Sequence, residues 1–340
     1  MIFVPFGLPG DTLRVSLFRE EKRHAYASIQ EVLKPSQDRV DPLCPYFFTC
    51  GGCQWQHLKY EQQLSWKETI LRETLERVGK IKDPPVRPVI GSPETWHYRS
   101  RIQLHVGDKG EIGFYRGDGD GIVPIESCSI ADERINTLLK KLDPREIRKR
   151  GWEVELMVDE ETGEVILETG KAPFSQVNRQ QNEKLVATVV DLMKVKKGEE
   201  ILELFAGNGN FSFPLAIKGA KVIAVEQSPS EGVPVTEVPK EGSVQFVYNK
   251  VEKIIREMVR ARKTFDGLLL DPPRKGAKFV LSSVVALKPK KIVYVSCFPP
   301  TLARDLSFLT RNGYRLETVQ PIDMFPQTHH IESVSLLHHL

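Results

Sequence analysis

The residues of this 340-residue chain best equipped for chemistry are its five cysteines, four of which are spaced as a ligand set. Cys44, Cys50 and Cys53 share the short segment CPYFFTCGGC, and Cys128 lies well downstream. Thiolates arranged tetrahedrally hold either zinc or an iron–sulfur cluster. Zinc ribbons usually carry two CxxC pairs. Three clustered ligands with a distant fourth fit a [4Fe-4S] cluster better, while zinc and four unliganded thiols stay open as alternatives. Gly51 and Gly52 let the backbone fold closely around such a group. The fifth cysteine, Cys297, ends the apolar, β-branched run Ile292-Val-Tyr-Val-Ser and precedes Phe298-Pro299-Pro300. In an open parallel sheet, ligands bind beyond the carboxyl ends of the strands, so this position points a thiol into the crevice. A lone cysteine is as readily an inert core residue.

A second constellation suits a nucleoside. Ile201-Leu-Glu-Leu-Phe-Ala-Gly-Asn-Gly-Asn210 reads as a strand, a glycine-rich turn and the start of a helix. Gly207 and Gly209 permit close approach of a ligand to the backbone. The third glycine of a dinucleotide fingerprint is missing and no GK[ST] follows, so the turn lacks pyrophosphate features. The next strand, Lys221–Val225, ends in Glu226, whose carboxylate can accept both hydroxyls of a ribose. S-adenosylmethionine, with ribose and adenine but no phosphate, is the expected ligand. Phe265–Leu270 is another apolar strand, ending in Asp271-Pro-Pro-Arg274. Enzymes that methylate exocyclic amines place a stacking aromatic after the two prolines. Arg274 stands there instead, which argues against that reaction.

These residues need a scaffold, and composition bounds it. With 40% hydrophobic and 27% charged residues, and a mean hydropathy of −0.29, the chain has ample core material for two to three globular domains. No stretch approaches the ~20 apolar residues of a membrane span, and Met1–Gly10 has no basic segment before an apolar run. A reduced, cytoplasmic setting is expected. The net charge of +3 hides an uneven division: residues 151–249 carry 9 Lys and Arg against 16 Asp and Glu, and residues 250–315 carry 15 against 5. The second block suits a polyanion such as RNA, although solvated lysines on helix faces would look the same.

Three regions follow from the periodicity. Residues 1–43 hold short β-like runs at Ile2–Pro5, Thr12–Phe18 and His24–Leu33 and suggest a small barrel. Residues 44–170 form a central domain: Leu58–Val78 is an amphipathic helix stopped at Gly79, and strands are expected at Arg101–Val106, Ile112–Tyr115, Val154–Val158 and Val165–Glu168. In residues 171–340, strands alternate with helices, as βαβ units and a mostly parallel α/β sheet require. Strands are expected at Glu200–Phe205, Lys221–Val225, Leu268–Leu270 and Ile292–Ser296, and helices at Phe211–Ile217 and Leu302–Leu309. Ser228–Gly242, with its prolines, stands where a βαβ unit would place a helix.

Taken together, the chain resembles the RNA 5-methyluridine methyltransferase family, through CGGCQWQH (50–57), FSQVN (174–178), ELFAGNGNF (203–211), DPPRKG (271–276), YVSC (294–297) with TLARD (301–305), and DMFPQTHHIES (323–333). The resemblance implies an N-terminal TRAM barrel that binds RNA, a central iron–sulfur domain and a C-terminal class I methyltransferase domain. It implies Cys44, Cys50, Cys53 and Cys128 as cluster ligands, Cys297 as nucleophile and Glu332 as general base. Gln176, Phe205, Asn210, Glu226 and Asp271 match its S-adenosylmethionine contacts. The implied reaction is thiolate addition at uracil C6, methylation of C5 and removal of the C5 proton. Arg274 or Arg304 could lower the thiol's proton affinity, and a base in folded RNA must be swung out to reach the crevice. The cysteine set favours a ribosomal-RNA substrate, with transfer RNA as the alternative and a monomer expected. A non-catalytic RNA-binding protein, and a redox protein using Cys50 and Cys53, are the rivals from other classes. Three departures stand out. The barrel starts at Met1-Ile-Phe-Val without its usual opening strand, Ser228–Gly242 replaces a helix, and either Asn249 or Lys250 takes the position beside adenine.

Overall fold

The structure is a computed structural model, and it describes every residue except 109, 120, 146, 148–151, 160–161, 169–175 and 230–241. It divides into two compact units that interleave along the chain. Met1–Leu64, Glu94–Lys171 and Phe325–His329 form one, and Ser65–Pro93, Ala172–Met324 and His330–Leu340 the other.

The first unit contains two sheets. Strands β1 (Ile2–Phe3), β2 (Thr12–Glu20) and β3 (Ala25–Lys34) form a three-stranded sheet in the order β1-β3-β2. Their positions match the expected runs, and among the described residues they form an open sheet rather than a closed barrel. β2 and β3 form an antiparallel hairpin whose register shifts three times, while β1 adds in parallel. The other sheet has the order β6-β5-β4-β7-β8, from β4 (Arg101–Val106), β5 (Ile112–Tyr115), β6 (Ile122–Pro124), β7 (Glu153–Val158) and β8 (Val165–Glu168). Alternation along β4 and β7 turns Ile102, Leu104, Val154 and Leu156 inward, against Ile135 and Leu139 of α2 (Glu133–Leu139). Each such side chain contributes ~1.5–3 kcal/mol when withdrawn from water. The segment Phe325–His329 belongs to this unit because the N–H groups of Gln54 and Trp55 donate to Gln327 O at 3.1 and 3.0 Å.

The second unit is an α/β layer structure. Its seven-stranded sheet has the order β11-β10-β9-β12-β13-β15-β14. The strands are β9 (Glu200–Leu204), β10 (Lys221–Glu226), β11 (Ser243–Tyr248), β12 (Gly267–Leu270), β13 (Lys291–Ser296), β14 (Tyr314–Ile322) and β15 (Glu332–His339). β9 to β13 are mutually parallel, and β15 inserts antiparallel between β13 and β14. The runs Leu268–Leu270 and Ile292–Val295 are wholly buried, as strands covered on both faces must be. The helices are α1 (Tyr60–Arg77), which belongs to this unit from Ser65 onward, α3 (Arg179–Met193), α4 (Ser212–Ile217), α5 (Val251–Arg260), α6 (Leu281–Leu287) and α7 (Pro299–Arg311). Prolines at the first positions of α7 start that helix immediately after Cys297. Gly79, just past the end of α1, packs so closely that an added Cβ would lie 2.9 Å from Ala303 O of α7. The segment Ser228–Gly242 falls almost wholly on residues 230–241, outside the described residues. No helix among the described residues is long and apolar enough to cross a membrane.

Candidate active site

The strand order reverses between β9 and β12, which places a crevice at the carboxyl ends of the parallel strands. The expected residues gather along that edge. Phe205 follows β9, Glu226 ends β10, Asp271 follows β12 and Cys297 follows β13. β15 runs the other way, so its first residue reaches the same edge. Ser296 pairs with Ser333, and this register sets Glu332 beside the end of β13.

The turn after β9 is shaped by its backbone. Phe205 has φ +66°, a conformation that costs a bulky side chain ~1–3 kcal/mol and usually marks a functional constraint. The N–H groups of Phe205 and Ala206 both donate to Val225 O, at 3.0 and 3.1 Å. Gly209 has φ +85°, and an added Cβ would lie 2.7 Å from the Phe213 ring. Glu226 Oε2 accepts from Gly207 N–H at 3.0 Å and Oε1 from Gln227 N–H at 2.6 Å, so the turn and the next strand end are one assembly. Asn249 N–H donates to Glu226 O at 2.9 Å, and the Asn249 side chain accepts from Lys250 N–H. Gln176 stands two residues before Asn178, the N-cap of α3. Asn210 forms a reciprocal amide pair with Asn182 of α3 at 2.9 and 3.0 Å. Asn182 was not singled out from the sequence, because only the fold brings α3 beside the turn.

The acidic side of the crevice is electrostatically coupled. Burial pushes the Asp271 carboxyl up to about 7, and Glu226 adds to the rise. Burial, then Asp271, pushes Glu332 well above the usual carboxylate range. Glu203, buried in β9, is pushed up to about 8 by burial against the bond it accepts from Ser212 Oγ, with Asp271 and Glu226 adding to the rise. Its Oε1 is buried without a partner. The Cys297 thiol is pushed up to about 11, first by burial, then by Glu332 and Asp271, while Arg274 opposes the rise. The cationic influence on this thiol is therefore Arg274. Arg304 is engaged elsewhere, donating to Asp305 Oδ1 at 2.8 Å and to Lys275 O at 3.0 Å.

The other four cysteines come together in the first unit, where Cys44, Cys50, Cys53 and Cys128 line one cavity of about 230 Å³ with Arg99 and His105. Among the described residues, no three His, Cys, Asp or Glu side chains converge closely enough to hold a single metal ion. The thiols surround a space rather than a point. Burial raises the proton affinity of Cys50 and Cys128 and pushes Cys53 up to about 12, and the thiols raise one another's further. Gly52 N–H donates to Cys50 Sγ at 3.4 Å, and Ile130 and Ala131 N–H groups point at the Cys128 thiol. Such N–H donors favour the thiolate form that a cationic iron or zinc group needs.

A family model described as tRNA (Uracil-5-)-methyltransferase matches residues 152–340. A 23S rRNA (uracil(1939)-C(5))-methyltransferase from Nitrosospira multiformis is 32% identical, covering 99% of this chain and 93% of that protein. Its counterpart from Vibrio campbellii is 30% identical, with coverage of 98% and 90%. Among solved structures, the tRNA (uracil-54, C5)-methyltransferase of Pyrococcus abyssi, in complex with S-adenosyl-L-homocysteine, has the same fold. It gives a TM-score of 0.71 at 24% identity and covers 99% of this chain and 95% of that one.

Proposed function

Because the chain belongs to the tRNA (uracil-5-)-methyltransferase family and is an S-adenosylmethionine-dependent RNA (uracil-C5)-methyltransferase, we propose that it methylates a uridine of 23S ribosomal RNA through a covalent Cys297 adduct. One observation carries the mechanism: a thiol just after β13, Cys297, and a buried carboxyl that begins the adjacent antiparallel β15, Glu332, stand at the edge that also bears the glycine turn and Glu226. The ribosomal target is supported by relatives of that specificity that align over nearly the whole chain.

Uracil C5 is a poor nucleophile until a group adds at C6. The Cys297 thiolate forms the S–C6 bond and turns the ring into an enolate, whose C5 takes the methyl group. S-adenosylmethionine, when bound, supplies that electrophilic methyl and a positive charge suited to the acidic crevice. Glu332, in its ionised form, then removes the C5 proton, the C5–H electron pair re-forms the C5–C6 double bond, and the S–C6 bond breaks so that Cys297 leaves as thiolate. Gln176, Phe205, Asn210, Glu226 and Asp271 are the proposed donor contacts, with Glu226 taking the ribose hydroxyls. Cys44, Cys50, Cys53 and Cys128 would hold a [4Fe-4S] cluster, to which a roomy four-thiol cavity is better suited than to one ion. The sheet of residues 1–34 and the basic stretch 250–315 are the proposed grips on the RNA backbone.

The test is methyl transfer to unmodified 23S rRNA and tRNA, with nucleoside analysis of the product. 5-Methyluridine in the ribosomal substrate is expected, and methylation confined to tRNA would overturn the target. Cys297→Ala is expected to abolish both turnover and covalent RNA adduct, whereas Glu332→Gln accumulates the adduct. Normal turnover by Cys297→Ala would refute the mechanism.

A further inference from the structure

Three stretches of the second unit, D-P-P-R-K-G, Y-V-S-C and T-L-A-R-D, are tied together by hydrogen bonds to which the proposed chemistry gives no role. Thr301 Oγ1 lies 3.0 Å from Arg274 O and 3.1 Å from Phe298 O, sharing its one proton between them and so joining the loop to the start of α7, and Arg304 Nη2 donates to Lys275 O at 3.0 Å. Asp305 is fully buried. Its Oδ2 accepts from Ala277 N–H and from Tyr294 OH, both at 2.7 Å, and its Oδ1 from Arg304 Nε at 2.8 Å. Gly276, in the middle of the loop, has φ +75°, and an added Cβ would lie 2.6 Å from both Arg304 Nη2 and Asp305 Oδ2. The loop backbone is thus pressed onto one face of α7, the helix that starts directly after the nucleophile.

At the loop's near end, the Arg274 guanidinium lies 5.4 Å from the centre of the Phe298 ring and 3.2 Å from His330 Nδ1. Phe298 is the residue next to Cys297. The charged groups that act on this thiol are Glu332 from β15, Asp271 from the end of β12 and Arg274 from the loop, with His330 beside Arg274. Two of these are acids, so the single cation matters, and its effect falls with distance.

We infer that Thr301, Arg304 and Asp305 are positioning residues that clamp the Asp271–Gly276 loop to α7 and so keep Arg274 beside Cys297. The clamp acts on the nucleophile through the loop. The inference rests on the assignment of Cys297 as nucleophile, and the test separates the two.

The readout is the rate at which iodoacetamide labels Cys297 between pH 7 and 10, followed by peptide mass spectrometry on the intact holoenzyme. Loss of the cation in Arg274→Gln should slow labelling about tenfold at every pH across this range, the thiol staying mostly protonated throughout. Thr301→Val removes one hydroxyl from a half-buried site and should slow labelling about threefold, while Thr301→Ser, which keeps the hydroxyl, restores it. Asp305→Asn should act like Thr301→Val, since an amide can keep the Ala277 and Tyr294 bonds but cannot also accept from Arg304. Should Asp305→Asn fail to fold, the Thr301 pair decides alone. Wild-type labelling by Thr301→Val, alongside slowed labelling by Arg274→Gln, would overturn the clamp. Unchanged labelling in Arg274→Gln would also overturn it, because there would be no cation effect to position. RNA adduct formation by Cys297→Ala is the separate outcome that would remove the nucleophile assignment itself.

Discussion

At the scale of single residues, the crevice is a set of acids whose protons are held tightly. Glu203 at about 8 and Asp271 at about 7 both lie above the usual carboxylate range, and Glu332 is raised as well. The sign of the consequence follows from linkage. Between the unfolded value near 4.5 and the folded value near 8, Glu203 binds more protons folded than unfolded, so stability falls as pH rises. Each such group can cost up to ~1.4 kcal/mol per pH unit within its window. Urea unfolding of the donor-free protein should therefore show lower stability at pH 8 than at pH 5.5, and Glu203→Gln should flatten the slope. A wild-type midpoint that rises over this interval would contradict the assignment. A cationic donor bound in the proposed site would relieve the same repulsion. The types of Cys297, Asp271 and Glu226 at strand ends were readable from the sequence. Glu203 was not singled out, since inside an apolar strand motif a carboxylate gives no sign of how completely it will be buried.

At the scale of elements, the turn after β9 illustrates how local backbone and packing combine. Gly209 needs both a positive φ and empty space where Cβ would be, whereas Gly198 has φ +82° with nothing within 4 Å. Both substitutions to alanine strain the backbone, at a cost of ~1–2 kcal/mol. Only Gly209→Ala also crowds the Phe213 and Phe246 rings beside the proposed donor turn. Calorimetric titration with S-adenosylhomocysteine should show about tenfold or greater weakening for Gly209→Ala and no change for Gly198→Ala. Equal affinities in the two variants would separate this turn from the donor site. The strands and helices expected from the sequence agreed with the observed ones to within a few residues, because apolar alternation and capping are local signals, whereas β11, β14, β15, α3, α5 and α6 carried no expectation. The Asn210–Asn182 pair and the α7 clamp had no such signal, since each joins elements far apart in the chain.

At the scale of the whole molecule, two units share one interleaved chain, and the cysteine cavity belongs wholly to the first. Cys128 reaches it from far along the sequence, and its backbone N–H donates to Asn136 Oδ1 at 2.8 Å. The cavity's worth to the fold is measurable. An anaerobic preparation should be brown and contain about four iron and four sulfide per chain. Cys128→Ser should lose the colour and lower the unfolding temperature of the protein. A colourless protein with one zinc per chain would remove the cluster proposal.

Residue types, their spacing and periodicity were enough to set an α/β sheet, a cluster of three thiols and a thiol at a strand end, because each is a short-range pattern, while the methyltransferase architecture and the part of Cys128 came from the family resemblance. Which partners those groups meet was decided only in three dimensions. The antiparallel insertion of β15 brings Glu332 to Cys297, and the packing of α7 against the Asp271–Gly276 loop selects Arg274 over Arg304 as the cation acting on the thiol. Strand register and burial depend on contacts between segments distant in the chain, and proton affinities in turn depend on that burial.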